Sequence, residues 1–206
     1  MKLIEAIKQN GNPFIIPDCG RDSLPEFFKE MGYKVGAEIG VLTGDFTEKF
    51  CRAGLKMYAI DPWMGFSGQG RHQNEQSVQD GYYEQAKKVL IPFKNCTIIR
   101  KTSMEALADF KNESLDFCYI DGDHDFRHTA EDIYEWTKKV KLGGVVSGHD
   151  YFNTAPFARN IVCNVKAIVD AYINLFEIEN FYLIGGSKTA KHGDPDKYHS
   201  WFFIKK

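Results

Sequence analysis

The chain has 206 residues, of which 43% are hydrophobic and 26% charged, so it can bury a core of its own without disulfides or a structural metal. The formal net charge is only −2 and no basic cluster stands out, which argues against a nucleic-acid partner bound through its phosphates. No apolar run reaches the roughly 18 residues of a membrane span, and the first residues lack the apolar core of a signal peptide. We therefore expect a cytoplasmic protein with no membrane partner. The five cysteines are scattered without a CxxC pair, which predicts reduced thiols.

Short β-like runs alternate with amphipathic helical stretches, a pattern typical of βα units and a mainly parallel sheet. The predicted strands are Val35 to Gly40, Lys56 to Asp61, Cys96 to Lys101, Leu115 to Asp121, Gly144 to Asp150, Phe181 to Gly185 and Ser200 to Lys205. The predicted helices are Asp45 to Ala53, Glu75 to Leu90, Ser103 to Phe110, Phe126 to Lys139 with a KLGG stop, and Asn164 to Leu175. We expect the last two strands to form an antiparallel edge.

The chain is predicted to form one main domain, residues 34–206, preceded by a helical lead-in at residues 1–33. One long irregular segment, Met64 to Asp80, is rich in Gly, Gln and Ser and follows the second strand. Ligands bind at the carboxyl ends of strands in such sheets, so this segment is either a substrate lid or a mobile surface connection.

The first motif that carries chemistry is EIGVLTG, at the end of the first strand and the start of a helix. Its glycines, Gly40 and Gly44, let the backbone approach a ligand, and the helix N-terminus offers N–H groups to an anion such as a carboxylate. The spacing departs from the GxGxxG of dinucleotide-binding enzymes. The motif therefore indicates a ligand-binding turn and argues against a pyrophosphate-binding dehydrogenase.

Three further residues at the same edge fit a nucleoside cofactor. Asp61 ends the second strand, where an acid can accept hydrogen bonds from both ribose hydroxyls. Trp63 and Ser103 are placed to pack on an adenine or hydrogen bond to it. The alternatives are a solvated carboxylate for Asp61 and an ordinary core position for Trp63.

Polar clusters follow the fourth and fifth strands, in the sequences DGDHD and GHD. Adjacent parallel strands would bring Asp121, His149 and Asp150 together, and their oxygen and imidazole donors suit Mg²⁺ or Mn²⁺. The alternative is a hydrogen-bonded polar network without metal. His124 lies close enough to serve as a proton acceptor. His128, four residues further on, lacks the HExxH glutamate or thiolate of a zinc site and is expected to be a solvated or capping residue.

The sequence resembles the class I S-adenosylmethionine-dependent methyltransferases in three blocks, EIGVLTGDFT, YAIDPW and LDFCYIDGDHDFRHTAEDIYEWTKKVKLGGVVSGHDY. The closest resemblance is to the branch of macrolide-sugar O-methyltransferases and cephalosporin-hydroxylase-like proteins. It extends from about Val35 to the C-terminus. The resemblance implies an α/β fold with a Rossmann-like, doubly wound sheet of seven strands in the order 3-2-1-4-5-7-6, mostly parallel with an antiparallel seventh strand.

The resemblance also implies roles for particular residues. Contacts to S-adenosylmethionine are expected from Glu38, Gly40, Thr43, Gly44, Asp61, Trp63, Ser103 and Asp121. In metal-dependent relatives, an acid after the fourth strand and two residues after the fifth hold Mg²⁺, and these positions match Asp121, His149 and Asp150. The catechol-methylating relatives place an acid where this chain has His149. Their catalytic lysine corresponds to His124.

These observations predict metal-assisted O-methylation of a hydroxyl on a small molecule or sugar, with Asp121 and His124 as catalytic residues. The alternatives are a metal-independent N-methyltransferase, a metal-dependent hydrolase or phosphotransferase that uses the Asp/His cluster, and a sugar-nucleotide-binding module. No motif encodes the acceptor. A homodimer is the default expectation for the oligomeric state.

Overall fold

The computed structural model describes residues 2–65, 75–154, 162–186 and 197–206. Within these ranges the strands are β1 (Phe14–Ile15), β2 (Val35–Ile39), β3 (Lys56–Ile60), β4 (Cys96–Ile99), β5 (Leu115–Ile120), β6 (Val140–Gly148), β7 (Phe181–Gly185) and β8 (His199–Ile204). They form one sheet in the order β1-β7-β8-β6-β5-β2-β3-β4. Each predicted strand is present, with ends that differ by one or two residues except at β6.

The strand directions confirm the predicted topology. Strands β2 to β6 pair in parallel, whereas β8 is antiparallel to both β6 and β7. Counted from β2, the order is 3-2-1-4-5-7-6. The fold is therefore a Rossmann-like α/β sheet that is mostly parallel with an antiparallel seventh strand.

The lead-in is not helical throughout, which differs from the expectation. It contains α1 (Leu3–Ala6), β1, a 3-10 turn at Arg21–Ser23 and α2 (Leu24–Glu30). Strand β1 pairs in parallel with β7 and extends the sheet by one short strand. The edge of β7 presents backbone groups that need partners, and the two residues of β1 supply them.

The remaining helices lie where the sequence predicts them. They are α3 (Asp45–Arg52), α4 (Gln76–Leu90), α5 (Ser103–Ala106), α6 (Phe126–Lys139) and α7 (Val165–Leu175). The KLGG stretch after α6 is a correction: β6 begins at Val140, so these residues belong to the strand. The pairing of β6 with β5 shifts register there, and Gly143 has a left-handed φ of 77°.

Helices cover both faces of the sheet because strand side chains alternate in direction. In β5, Phe117 and Tyr119 pack against α2 and α3, while Cys118 and Ile120 pack in the cluster that includes α6 and α7. Since β2 to β6 are parallel, their carboxyl ends share one edge of the sheet. The loops at that edge carry most of the predicted site residues.

Helix length and the state of the cysteines complete the description of the fold. None of the helices in the described ranges is both long and apolar enough to cross a bilayer. All five cysteines are free thiols, as predicted: Cys19, Cys51, Cys96, Cys118 and Cys163.

Candidate active site

The turn after β2 depends on glycine at two positions. Gly40 and Gly44 have left-handed φ angles of 87° and 88°, and Gly44 is the N-cap of α3. A Cβ atom on Gly40 would lie 2.2 Å from the carbonyl oxygen of Asp121, so the ends of β2 and β5 approach this closely only with glycine. Thr43 lies between the glycines and donates from Oγ1 to Asp45 Oδ2 at 2.6 Å. The predicted cofactor turn therefore touches the backbone of a predicted metal ligand.

Asp61 holds the same turn from the end of β3. Its Oδ2 accepts hydrogen bonds from the backbone N–H groups of Val41 and Leu42, both at 3.0 Å, and Oδ1 accepts from Trp63 N at 2.7 Å. A carboxylate has about four acceptor positions, so about one remains for a ribose hydroxyl. Asp61 thus shapes the turn, and its predicted contact with ribose remains a prediction.

Trp63 lies in the core under this turn. Its side chain is fully buried, its Nε1 donates to the carbonyl of Leu42 at 2.7 Å, and its ring packs with Val41 and Leu90. This is the core position that the sequence left open as the alternative to adenine stacking. The indole therefore stabilises the turn through its hydrogen bond to Leu42.

Glu38 is buried at the end of β2, with 2% of its surface exposed. Thr47, on α3, donates a hydrogen bond from its hydroxyl to Glu38 Oε2. Burial raises the pKa of Glu38 to about 8, and the hydrogen bond from Thr47 offsets only part of that effect. At neutral pH the carboxyl is therefore protonated, and it links β2 to α3 beneath the turn.

Replacing Glu38 with glutamine should change how stability depends on pH. The pKa of Glu38 is near 4.5 in the unfolded chain and about 8 in the folded chain. The contribution of Glu38 to the free energy of unfolding is therefore complete below pH 4.5 and is lost as the pH rises through 8. Relative to wild type, Glu38→Gln should gain on the order of a few kcal/mol in unfolding free energy between pH 5 and pH 8. Urea unfolding of both proteins at the two pH values measures this. The same difference at both values would show that Glu38 has no raised pKa.

The polar side chains after β5 and β6 converge on one site. Ligand atoms of Asp121, His124 and Asp150 all lie within 4.8 Å of one another. His124 Nε2 is 3.2 Å from Asp150 Oδ2 and 3.7 Å from Asp121 Oδ1. This Nε2 atom is buried and has no hydrogen-bond partner among the described residues. A buried polar atom of this kind, beside two carboxylates, fits a divalent cation or a proton donor from a substrate.

His149 joins the same two acids. Its Nδ1 lies 3.3 Å from Asp150 Oδ1 and 3.9 Å from Asp121 Oδ1. Burial would lower the pKa of both imidazoles, but the nearby carboxylates of Asp121 and Asp150 outweigh it and raise the pKa of His124 and of His149. The structure therefore brings together all four of the predicted metal and catalytic residues.

Arg21 is a site residue that the sequence did not reveal. It comes from the lead-in, and its Nη1 lies 3.3 Å from Asp121 Oδ2. Its guanidinium also lies over the ring of Phe46, 4.8 Å from the ring centroid. No local motif marks Arg21, since its ion pair joins residues that are 100 positions apart.

Ser103 is part of a buried network at the start of α5. Its hydroxyl donates to Asp132 Oδ1 and accepts a hydrogen bond from Trp136 Nε1 at 3.2 Å. Asp132 is 4% exposed, and burial raises its pKa to about 6. Asp132 was not singled out from the sequence, although an acid on the buried face of α6 is a signal that the sequence contains. The network fixes the position predicted to flank adenine.

A second group of ligand atoms lies at the start of α6. Ligand atoms of Asp123, Asp125 and His128 come within 4.8 Å of one another, but their side chains are 39–49% exposed. Asp125 is the N-cap of α6 and accepts hydrogen bonds from His128 N at 2.9 Å and His128 Nδ1 at 2.8 Å. These contacts account for the group as a helix cap, with His128 half exposed as expected.

The segment predicted as a substrate lid is only partly described. Residues 66–74 of the segment Met64 to Asp80 lie outside the described residues, and so do residues 155–161 between β6 and α7. The hypothesis of a substrate lid therefore stays a prediction.

Comparison with known proteins identifies the family. A family model described as a methyltransferase domain matches residues 37–151, which is more than half of the chain and spans both the glycine turn and the polar cluster. The chain therefore belongs to this methyltransferase-domain family, and its fold is that of class I S-adenosylmethionine-dependent methyltransferases. The protein y4gI of Sinorhizobium fredii is 28% identical over 124 residues, which are 55% of this chain and 12% of that protein. The chain thus corresponds to a small part of that relative.

Solved structures share the fold at low sequence identity. A protein from Staphylococcus aureus assigned as a caffeoyl-CoA O-methyltransferase has a TM-score of 0.62 at 16% identity, over 90% of this chain and 82% of that chain. The O-methyltransferase of Bacillus cereus in complex with SAH has a TM-score of 0.59 at 17% identity, over 90% and 80%. The N-methyltransferase NodS of Bradyrhizobium japonicum has a TM-score of 0.56 at 16% identity, over 90% and 94%. The fold is thus common to proteins that methylate oxygen and nitrogen.

Proposed function

We propose that this chain transfers the methyl group of S-adenosylmethionine to a hydroxyl group of a small molecule or sugar, as in the branch of macrolide-sugar O-methyltransferases that its sequence resembles. One observation carries the proposal: the glycine turn and the polar cluster are in direct contact, through Gly40 and the backbone of Asp121. Methyl transfer needs an acceptor oxygen in line with the sulfonium methyl group. A cofactor turn that touches a group of acids and imidazoles supports that arrangement.

A divalent cation, Mg²⁺ or Mn²⁺, belongs to this proposal. Asp121 and Asp150 would hold it, with His149 as the nitrogen donor, and the buried Nε2 of His124 beside the same acids supports the fit. When bound, the cation supplies positive charge that lowers the pKa of an acceptor hydroxyl and orients it.

The residues of the chain have three tasks in this reaction. The glycine turn and Asp61 bind the cofactor, the acids orient the acceptor, and His124 takes up the hydroxyl proton at Nε2. Asp121 and Asp150 lie close enough to stabilise the imidazolium that results. General base assistance of this type contributes about 10²–10⁴-fold to turnover.

Methyl transfer to nitrogen without metal is the second candidate. It is favoured by the ion pair between Arg21 and Asp121, because the guanidinium already balances part of the negative charge of the acids. A site balanced in this way has less need of a cation.

The experiment follows transfer of a labelled methyl group from S-adenosylmethionine to a panel of sugars, catechols and amines, with Mg²⁺ and with a chelator. We expect labelled hydroxyl products that require Mg²⁺, and strongly reduced transfer by Asp150→Asn. Labelled amines, formed equally well with chelator, would overturn the proposal in favour of the second candidate. A cytoplasmic location, the lack of nucleic-acid and membrane partners, and a homodimer remain predictions.

A further inference from the structure

We propose that Arg21 binds the α-carboxylate of the methionine moiety of the cofactor, and that the pair of Arg21 and Asp121 recognises its zwitterionic amino-acid group. This inference rests on the proposed function, because it assigns a residue to one end of the same ligand. Neither the sequence motifs nor the family match, which begins at residue 37, includes Arg21.

The position of Arg21 is the first support. Its guanidinium lies against Phe46, in the first turn of α3, and beside Asp121, which follows β5. Gly44 is the N-cap of α3, and Gly40 touches the backbone of Asp121. Arg21 therefore lies between the two elements predicted to enclose the methionine end of the cofactor.

The shape and burial of the guanidinium are the second support. It presents five N–H donors in a plane, so it can hold Asp121 with one edge and a second carboxylate with another. Its side chain is 21% exposed, which leaves part of it open to a ligand while the rest is shielded from water. Hydrogen bonds between charged groups are strongest where water is excluded.

The charges around Arg21 are the third support. The guanidinium has the buried hydroxyl of Tyr119 and the carboxylate of Asp121 beside it. Within ion-pair distance, Asp121 supplies one negative charge. An amino-acid group carries a carboxylate and an ammonium side by side. The adjacent cation of Arg21 and anion of Asp121 match both of them.

Calorimetric titration with two ligands tests the proposal. One ligand is S-adenosylhomocysteine, and the other is its decarboxylated analogue, which keeps the ammonium group but lacks the carboxylate. Wild type should bind S-adenosylhomocysteine about 10- to 100-fold more tightly than the analogue, and Arg21→Gln should lose most of that preference by weakening S-adenosylhomocysteine alone. Arg52→Gln is the matched control, since Arg52 is 67% exposed on α3 and should leave both affinities unchanged.

The outcomes separate the inference from the proposed function. Equal weakening of both ligands by Arg21→Gln, or no preference in wild type, would overturn the inference while S-adenosylhomocysteine binding still supports the function. Failure of wild type to bind either ligand would sink both. Thermal unfolding checks that the variants fold. If Arg21→Gln does not, Arg21→Lys replaces it: a lysine keeps the charge but loses the planar fork, so the preference should fall to an intermediate value.

Discussion

Replacement of His124 by alanine should lower kcat for hydroxyl methylation by about 10²–10⁴-fold while leaving the affinity for S-adenosylmethionine unchanged. The side chain carries a buried Nε2 with no hydrogen-bond partner among the described residues, next to Asp121 and Asp150. These carboxylates raise its pKa despite burial, so they stabilise the imidazolium that forms when the side chain takes up the hydroxyl proton. Loss of this acceptor affects the chemical step and not the cofactor turn.

The measurement pairs initial-rate kinetics with cofactor titration. The acceptor is whichever sugar or catechol wild type methylates. His128→Ala is the matched control, because that imidazole is half exposed, lies four residues away and is held by Asp125. It should retain wild-type kcat. A His124→Ala variant that loses turnover and cofactor affinity to the same extent would show that His124 has a structural role and would contradict its assignment as the base.

Replacement of Gly40 by alanine should abolish cofactor binding and lower the free energy of unfolding by about 2–5 kcal/mol. The added Cβ would lie 2.2 Å from the carbonyl oxygen of Asp121 and 2.6 Å from the Cα of Gly122, both backbone atoms that cannot move alone. The left-handed φ of 87° adds conformational strain. The ends of β2 and β5 would have to separate, which displaces the glycine turn and Asp121 together.

A control at Gly54 separates the effect of backbone strain from that of the steric clash. Gly54 has a similar φ of 89°, but a Cβ there would meet no atom within 4 Å. Gly54→Ala should therefore cost only about 1 kcal/mol of unfolding free energy and leave cofactor affinity intact. Titration calorimetry and urea unfolding of both variants provide the comparison. Retention of cofactor binding by Gly40→Ala would contradict the close contact between β2 and β5.

The strand order of the sheet could be predicted because it follows from local patterns in the sequence. Alternating strands and helices indicated a parallel sheet, and the blocks that resemble class I methyltransferases implied its strand order. Strand β1 had no such signal, since Phe14–Ile15 is a strand only by pairing with β7, about 170 positions later. The early start of β6 at Val140 was missed because Gly143 and Gly144 are usual helix stops and give no sign of an irregular strand.

The candidate site likewise contains residues that the sequence predicted and residues that it did not. The cluster of Asp121, His124, His149 and Asp150 was predictable because its members follow neighbouring parallel strands, whose ends must meet at one edge. Arg21 was not, because an ion pair across 100 positions depends on how the lead-in packs. The backbone role of Asp61 also required the structure: its distance from Leu42 is set by the turn and not by any spacing in the chain.

The most direct test of the central claim is calorimetric titration of S-adenosylmethionine into the purified protein, with Mg²⁺ and again with chelator. The account predicts micromolar binding under both conditions, since the glycine turn and Asp61, which are proposed to bind the cofactor, do not depend on the cation. The Gly40→Ala variant should show no binding in the same experiment. If wild type shows no binding under either condition, the glycine turn is not a cofactor site. The cluster of Asp121, His149 and Asp150 would then have to serve a hydrolase or phosphotransferase.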